Sequence, residues 1–354
     1  MSKKVLLGMS GGVDSSVAAI ILKEQGYEVI GATMVLWSDK EKEQTKCGSF
    51  SAVEDAKKVC EQLDITHYVI NCEEDFKKHV INDFISCYKN CKTPNPCIEC
   101  NKYLKFGRFY QKAIELGCEY VSTGHYAKIE FSEKYNQYVM KKSNAEGKDQ
   151  SYFLYGINKE VLPKMIFPLE DISNKDKVRE IAKENGLQVA TKKDSQEICF
   201  IPDNNYVRFL KDNMDEKAKK GNIVLEDGTI LGKHNGLINY TIGQRKGLGI
   251  AFKTPLYVLK LDKDKNEVVV GNEEGLYKSE LKANECNFLL DLNFNEEIEV
   301  MAKVRYRAKE AKAKLVFKDG VANVFFEEPQ RAITPGQSVV FYIDEILLGG
   351  GKIL

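Results

Sequence analysis

Two groups of residues in this chain have types and spacings suited to chemistry. The first is Gly8-Met9-Ser10-Gly11-Gly12-Val13-Asp14-Ser15, set between the apolar run Val5-Leu6-Leu7 and a helix-forming stretch. Adjacent glycines let a backbone come close to an anion. The N–H groups at a helix start then point at that anion, and the helix dipole favours it. Ser10 and Ser15 add hydroxyl donors for phosphate oxygens. Asp14 would repel phosphate, so the pattern reserves it for Mg²⁺ or for a helix cap. No Gly-Lys-Ser/Thr ending follows, and the glycine spacing is not that of a dinucleotide loop. The second group is made of thiols: Cys97 and Cys100 in Thr93-Pro94-Asn95-Pro96-Cys97-Ile98-Glu99-Cys100-Asn101-Lys102, and Cys199 in Asp194-Ser195-Gln196-Glu197-Ile198-Cys199-Phe200-Ile201. The prolines predict a non-helical path until about Asn101, which would cap the next helix and leave both cysteines on a rigid loop. A thiol near a helix N-terminus ionises more readily and is the better nucleophile.

The elements that must hold these groups can be read along the chain. Strand-like runs at Val5–Leu7, Tyr27–Met34, Tyr68–Asn71 and Tyr120–Thr123 alternate with helical stretches at Asp14–Gln25, Ala52–Leu63, Asp75–Tyr88 and Lys102–Leu116. Repeated β-α units with apolar strands imply an α/β domain with a parallel sheet covered on both faces, its ligands at the carboxyl ends of the strands. After residue 200 the pattern turns to β, with hairpin signals at Asp227-Gly228 and Asp319-Gly320, alternating strands near Glu297–Val304, Lys314–Phe317 and Val321–Phe326, and another strand at Ser338–Ile343. The expected division is 1–205 for the α/β domain, 206–275 for a small β-rich unit and 276–354 for a β-barrel, with Lys211–Lys220 a solvated connection.

The 354 residues carry 52 basic and 52 acidic side chains, so a uniformly basic nucleic-acid binder is not expected, although a local basic face is allowed. No apolar run approaches the ~20 residues of a membrane span, and no signal-peptide core is visible, so a cytoplasmic protein is expected. In that reducing compartment the ten cysteines do not read as a disulfide framework. Cys60, Cys72 and Cys118 sit among apolar neighbours and read as core. Cys286 reads as structural, and no motif surrounds Cys47, Cys87, His67, His79 or His234.

Ser10-Gly11-Gly12-Val13-Asp14-Ser15 resembles the PP-loop ATP pyrophosphatases, with their parallel-sheet adenine-nucleotide α-hydrolase-like domain, which transfer AMP to a carbonyl oxygen and release pyrophosphate. The two cysteine segments narrow the likeness to the bacterial tRNA-specific 2-thiouridylases. So do Thr123-Gly124-His125-Tyr126-Ala127, Lys148-Asp149-Gln150-Ser151-Tyr152, Thr241–Leu248 and Arg305-Tyr306-Arg307. The resemblance runs from the first strand nearly to the C-terminus. It implies ATP and Mg²⁺ at Gly8, Met9, Ser10, Gly11, Gly12, Val13, Asp14 and Ser15, with Met34 and Gly124 lining the nucleotide. It implies Cys199 as persulfide carrier and Cys100 as the nucleophile that forms a transient disulfide with it. It implies tRNA contacts by His125, Lys148, Asp149, Gln150, Arg305, Tyr306 and Gln337, and a loop at Asn95, Pro96 and Cys97 facing the target base, the wobble uridine. A sulfur donor protein, a cysteine desulfurase or a relay protein, is implied as a partner.

One position departs from that pattern. The family usually has aspartate where this chain has Cys97, so the acid–base group there is open. The resulting Cys97-x-x-Cys100, with Cys199, raises a [4Fe-4S] cluster as a variant, its fourth iron open to sulfur. Zinc, with Cys91 as fourth ligand, is a further option. Arg305-Tyr306-Arg307, as an alternating strand, would place both guanidinium groups on one side for phosphate contact. Gly243-Gln244-Arg245-Lys246-Gly247 reads as a basic loop with the same use. The competing functions are a PP-loop synthetase forming an amide from a small carboxylate, which gives Cys100 and Cys199 no role, and an RNA-binding module with a relic loop.

Overall fold

The computed structural model describes residues 2–37, 50–145, 147–192, 198–214 and 218–354. Cys47, the Asp194–Glu197 part of the second cysteine segment and Asp215–Lys217 of the expected connection lie outside the described residues.

The chain opens with β1 (Lys4–Gly8), α1 (Val13–Glu24), β2 (Glu28–Val35), α2 (Phe50–Gln62) and β3 (Thr66–Asn71). A long helix, α3 (residues 73–89), contains a π-helical turn at Lys77–Ile81. A second, α4 (residues 96–115), is π-helical over Cys100–Arg108. Then come β4 (Tyr120–Thr123), a hairpin of β5 (Lys128–Ser132) and β6 (Gln137–Lys141), the two-residue β7 (Met165–Ile166), α5 (Lys175–Glu184) and α6 (Tyr206–Asn213). Strands β1 to β4 and β7 form one parallel sheet in the order β3-β2-β1-β4-β7. Val5, Leu6 and Leu7 are fully buried because both faces are covered, as the unbroken apolar run requires. Leu6 packs with α3 and α4, while Val5, on the opposite face of the strand, packs with α1 and α5 through Val17 and Val178. Helix α6 joins the first of these cores through Phe209 and Leu210, and Phe209 lies edge-on to Phe84 of α3.

The middle unit is a four-stranded sheet, order β10-β11-β8-β9, of β8 (Gly221–Leu225), β9 (Ile230–His234), β10 (Tyr257–Asp262) and β11 (Glu267–Gly271). Asp227-Gly228 makes the β8–β9 turn, as expected. The last six strands are β12 (Tyr277–Phe288), β13 (Ile298–Lys303), β14 (Ala311–Lys318), β15 (Val321–Arg331), β16 (Ser338–Ile343) and β17 (Ile346–Ile353). They run β12-β15-β14-β13-β16-β17, and pairing of β17 with β12 closes them into a barrel. Asp319 and Gly320, both with positive φ, turn β14 into β15 as a type I′ hairpin needs.

The barrel is fastened to the α/β domain beside the cysteine helix. Ile346 of β17 pairs with Lys141 of β6. Lys352 Nζ lies 3.2 Å from Asp83 of α3, 3.3 Å from Glu99 of α4 and 3.4 Å from Glu285 of β12. Burial pushes the Glu99 carboxyl up, and Lys352 pulls it part of the way back down. For Lys352 burial alone would lower the pKa, but Glu99, Asp83 and Glu285 outweigh it and the proton is held more tightly than usual. Removing one partner strands the others, which costs about 3 kcal/mol at the low end of the range for buried pairs, since Glu285 still meets solvent. Lys352→Met is therefore expected to lower the thermal midpoint and to expose the α3–α4–barrel seam to hydrogen exchange. An unchanged midpoint and unchanged protection would show the knot to be dispensable.

Candidate functional site

The glycine loop leaves the carboxyl end of β1 and is tied to β2: Met9 N–H donates to Ala32 O (2.8 Å) and Thr33 Oγ1 donates to Met9 O (2.8 Å). Gly11 has φ +66, and a Cβ there would lie 2.5 Å from Ala52 O at the start of α2. Only glycine fits both conditions. Gly12 is the extended N-cap of α1, with no side-chain cap bond. Ser15 Oγ donates to Gly12 O (3.1 Å) and accepts from Ser10 N–H (3.2 Å), with Ser10 Oγ at 3.2 Å. Val13 is buried in the core behind the loop. The two serines therefore shape the turn as well as supplying hydroxyls at its mouth.

Asp14 does not cap α1. Its Oδ1 accepts from Tyr126 OH (2.6 Å) and its Oδ2 pairs with Lys175 Nζ (2.6 Å). Lys192 Nζ reaches Gly11 O (2.9 Å) and Asp55 (2.7 Å). Two ammonium groups thus flank the anion loop, from positions 161 and 181 residues away along the chain. No sequence motif marked Lys175 or Lys192; only the packing of α5 and its following turn against α1 brings them there. Both Asp14 oxygens are thus already engaged by Tyr126 and Lys175.

The turn after β4 closes over the loop. A Cβ on Gly124 would lie 2.9 Å from the Asp14 carbonyl carbon and from Ser15 N, so the two backbones touch. Met34, half-buried near the end of β2, and Gly124, just past β4, stand with Gly8 at the carboxyl edge of the sheet. His125 Nδ1 is 2.7 Å from Thr123 Oγ1, and its ring leans on Phe106 of α4 and Phe167. Burial first, then Lys105, holds the imidazole well below its ordinary range, so it is neutral at neutral pH. The unfolded chain takes up this proton below about 6.5 and the folded chain does not. The associated stability is complete above that pH and is lost as pH falls. His125→Gln is thus expected to flatten the acid limb of the melting temperature below about pH 6.5; an unchanged limb would contradict a neutral histidine.

The cysteine segment corrects the sequence expectation. Helix α4 begins at Pro96, not at Lys102, with Asn95 as N-cap. Proline is well suited to a first helical position, because the missing N–H has no intrahelical partner there and φ is already set. Cys97 and Cys100 thus share the first turn; Cys97 is exposed and Cys100 is 8% exposed. Asn101 is no cap: it is buried in the second turn and its Nδ2 donates to Phe153 O (2.9 Å). Cys199 is half-buried and packs against the same core as Cys100, anchored by Phe200, whose ring lies edge-on to Phe76 and Phe84. Among the described residues no three His, Cys, Asp or Glu side chains are gathered as a metal site, so Cys97, Cys100 and Cys199 do not form a ready ligand set for a cluster or zinc. Cys60, Cys72 and Cys118 are buried, and burial raises each thiol's pKa, as expected of core cysteines.

The residues expected to meet RNA are partly used to build the site. Asp149 accepts from Ser143 N–H, Ser151 N–H and Ser151 Oγ, and burial raises its pKa. Gln150 exchanges two bonds with Tyr126, its N–H to Tyr126 O (2.8 Å) and its Oε1 from Tyr126 N–H (3.1 Å). Lys148 is half-buried beside them. Gln337, on the barrel, donates through Nε2 to Thr93 O and Pro94 O (3.1 Å each), clamping the segment that leads into α4. Arg305-Tyr306-Arg307 is not a strand: β13 ends at Lys303, and a turn closed by Ala308 N–H to Arg305 O (3.0 Å) follows. Arg305 and Tyr306 are half-buried, Arg307 is exposed, and the Tyr306 ring packs 4.4 Å from Phe153. Arg245 and Lys246 are exposed on the middle unit, where Arg245 and residues 247–256 line an open groove of about 640 Å³.

An α/β sheet with an anion loop at its carboxyl edge, followed by two β units, defines a nucleotide-binding catalytic domain with barrel appendages. Family models agree: residues 3–203 match the tRNA methyl transferase HUP domain, 207–272 the tRNA methyl transferase PRC-barrel domain and 278–353 the aminomethyltransferase beta-barrel domain. The chain is 53% identical to the tRNA-specific 2-thiouridylase MnmA of Clostridium botulinum (strain Alaska E43 / Type E3), over 99% of this chain and 98% of that one. It is 51% identical to the MnmA of Clostridium beijerinckii (100% and 99% covered) and 50% identical to that of Clostridioides difficile (100% and 98% covered). The chain belongs to the tRNA-specific 2-thiouridylase MnmA family.

Proposed function

We propose that the chain converts the wobble uridine of tRNA to 2-thiouridine with cleavage of ATP. The observation that carries this reading is the continuity of the site. The anion loop meets the β4 turn at Gly124, and that turn meets the cysteine helix through His125 and Phe106. Nucleotide and thiol chemistry can therefore act on one base. Gly8 to Ser15 hold the ATP phosphates through backbone N–H groups, with Lys175 and Lys192 offsetting their charge. Met34 and Gly124 line the nucleotide.

The C2 oxygen of the uracil is a poor leaving group. Its attack on the α-phosphorus of ATP releases pyrophosphate and leaves an O-adenylate. The outer sulfur of a Cys199 persulfide then attacks C2, and AMP departs with the original oxygen. Cys100 attacks the Cys199 sulfur, which breaks the S–S bond, frees 2-thiouridine and links Cys100 to Cys199. The base must leave its stack, at a cost of a few kcal/mol. Asn95, Pro96 and Cys97 would face it, with Tyr306 as a nearby aromatic surface. A cysteine desulfurase or a relay protein would load Cys199. The persulfide route uses Cys100 and Cys199 as thiols and needs no metal, and among the described residues no three His, Cys, Asp or Glu side chains are gathered as a metal site. The small-carboxylate synthetase would leave both thiols idle.

His125, Lys148, Arg305 and the exposed Arg307 form the tRNA-facing side in this reading, with Asp149, Gln150 and Gln337 holding the surface in shape. Phosphate contact predicts that tRNA affinity falls by on the order of a hundredfold or more between 50 and 200 mM salt, measured by filter binding. An affinity independent of salt would remove the phosphate-reading face. The function itself is tested by nucleoside mass spectrometry on unmodified tRNA given the protein, MgATP and a persulfide donor. 2-Thiouridine that requires ATP supports it; AMP formation driven by a small acid and ammonia, with no thiouridine, would replace it.

A further inference from the structure

We propose that Cys97 is the resolving thiol of this enzyme: it takes over the disulfide formed at Cys100 and carries it to the surface, where an external dithiol reduces it. The proposal rests on the persulfide reading above and adds the step that resets the site.

Three features of the first turn of α4 carry it. Cys97 and Cys100 are three residues apart on one helical turn, which puts their Cα atoms at ~5 Å by ideal helix geometry. That lies inside the usual 4.4–6.8 Å window for a disulfide. Their environments are opposite: Cys97 is exposed, whereas Cys100 is packed into the core cluster that Cys199 also touches. A Cys100–Cys199 disulfide would therefore join one buried and one half-buried sulfur, out of easy reach of a protein reductant. Finally, the turn is held from outside. Gln337 clamps Thr93 and Pro94, Thr93 N–H donates to Pro335 O (2.8 Å), and Lys352 pairs with Glu99 between the two cysteines. The pair can exchange partners without the helix start moving.

The step balances as a thiol–disulfide exchange. The Cys97 thiolate attacks Cys100 Sγ, the Cys100–Cys199 bond breaks, and Cys199 leaves as a thiolate ready for the next sulfur. The Cys97–Cys100 disulfide then accepts two electrons from a dithiol protein, which leaves oxidised. Cys97 thus serves turnover, not sulfur transfer to the base.

The test follows product against time with the full chain, tRNA, MgATP, a persulfide donor and reduced thioredoxin as the dithiol. Samples are alkylated and digested with trypsin. Cys97 and Cys100 share the peptide 93–102 and Cys199 lies in 194–208, so the two disulfides are distinguishable as intra-peptide and inter-peptide links. Wild type is expected to turn over continuously and to show the intra-peptide link when thioredoxin is withheld. Cys97→Ser and Cys97→Asp are expected to level off near one equivalent of 2-thiouridine with the inter-peptide link accumulated. Continuous turnover by Cys97→Ser would overturn the proposal. So would recovery of continuous turnover in Cys97→Asp alone, which would make Cys97 a proton-transfer stand-in. No inter-peptide link in any stalled variant, with no thiouridine formed, would remove the persulfide reading itself and this proposal with it.

Discussion

Cys199→Ser is expected to lower 2-thiouridine formation at least about a thousandfold, the scale on which loss of a covalent nucleophile is felt. A serine hydroxyl cannot carry a sulfane sulfur, so nothing replaces the lost group. The loop at Gly8–Ser15 does not depend on Cys199, which packs on the α3–α6 side of the sheet with Phe200. ATP cleavage to AMP in the presence of tRNA should therefore survive. Cys100→Ser should differ: the sulfur can still reach C2, but the S–S bond to Cys199 is not cut, and tRNA is expected to remain attached to the protein through sulfur. Gel mobility before and after reduction reads this out. A Cys199→Ser enzyme with more than about a tenth of normal activity would place the sulfur carrier elsewhere.

The second large effect lies at the glycines. Gly124→Ala puts a methyl group 2.9 Å from the backbone of Asp14 and Ser15, where nothing can rotate away. The β4 turn or the start of α1 must move by several tenths of an ångström. The phosphate-binding N–H groups move with it. A misplacement of about 1 Å costs ~100-fold, so this smaller shift is expected to slow pyrophosphate release on the order of tenfold or more. Gly11→Ala meets a 2.5 Å contact with Ala52 O and a φ of +66, a conformation costing about 1–2 kcal/mol for an L side chain before the clash is counted. Both variants should lose ATP-dependent chemistry, and Gly11→Ala, whose clash is with Ala52 and not with the β4 turn that carries His125, should change tRNA binding less than tenfold. Normal pyrophosphate release by Gly124→Ala would mean that the backbone contact does not set the loop.

The architecture was readable wherever a local rule acts alone. Val5–Leu7 is apolar without interruption because both faces of its strand are covered, and Asp319-Gly320 is the turn that its strand twist demands. The cysteine helix was misread because two rules compete at Pro96. Proline disfavours helix interior, but the same ring favours the first helical position, and the chain uses it there. Arg305-Tyr306-Arg307 alternates like a strand, yet β13 has already ended at Lys303 and the turn is set by the barrel. Lys175, Lys192 and Lys352 could not be found from sequence at all. Each is placed by contacts across more than a hundred residues of chain, which no spacing rule encodes. Gln150 lies in a visible motif and Gln337 in none; hydrogen bonds to Tyr126, and to Thr93 and Pro94, give each a structural role that the sequence does not display.

Activation by the nucleotide requires that the uracil oxygen leave on AMP, in the same active site that delivers sulfur. This can be followed by giving the enzyme, MgATP and a persulfide donor a tRNA whose wobble uridine carries ¹⁸O at C2, and analysing both products by mass spectrometry. One ¹⁸O in the AMP phosphate is expected for each 2-thiouridine formed. Thiouridine accompanied by unlabelled AMP would contradict the mechanism, because the oxygen would then have left by a route that the nucleotide does not activate.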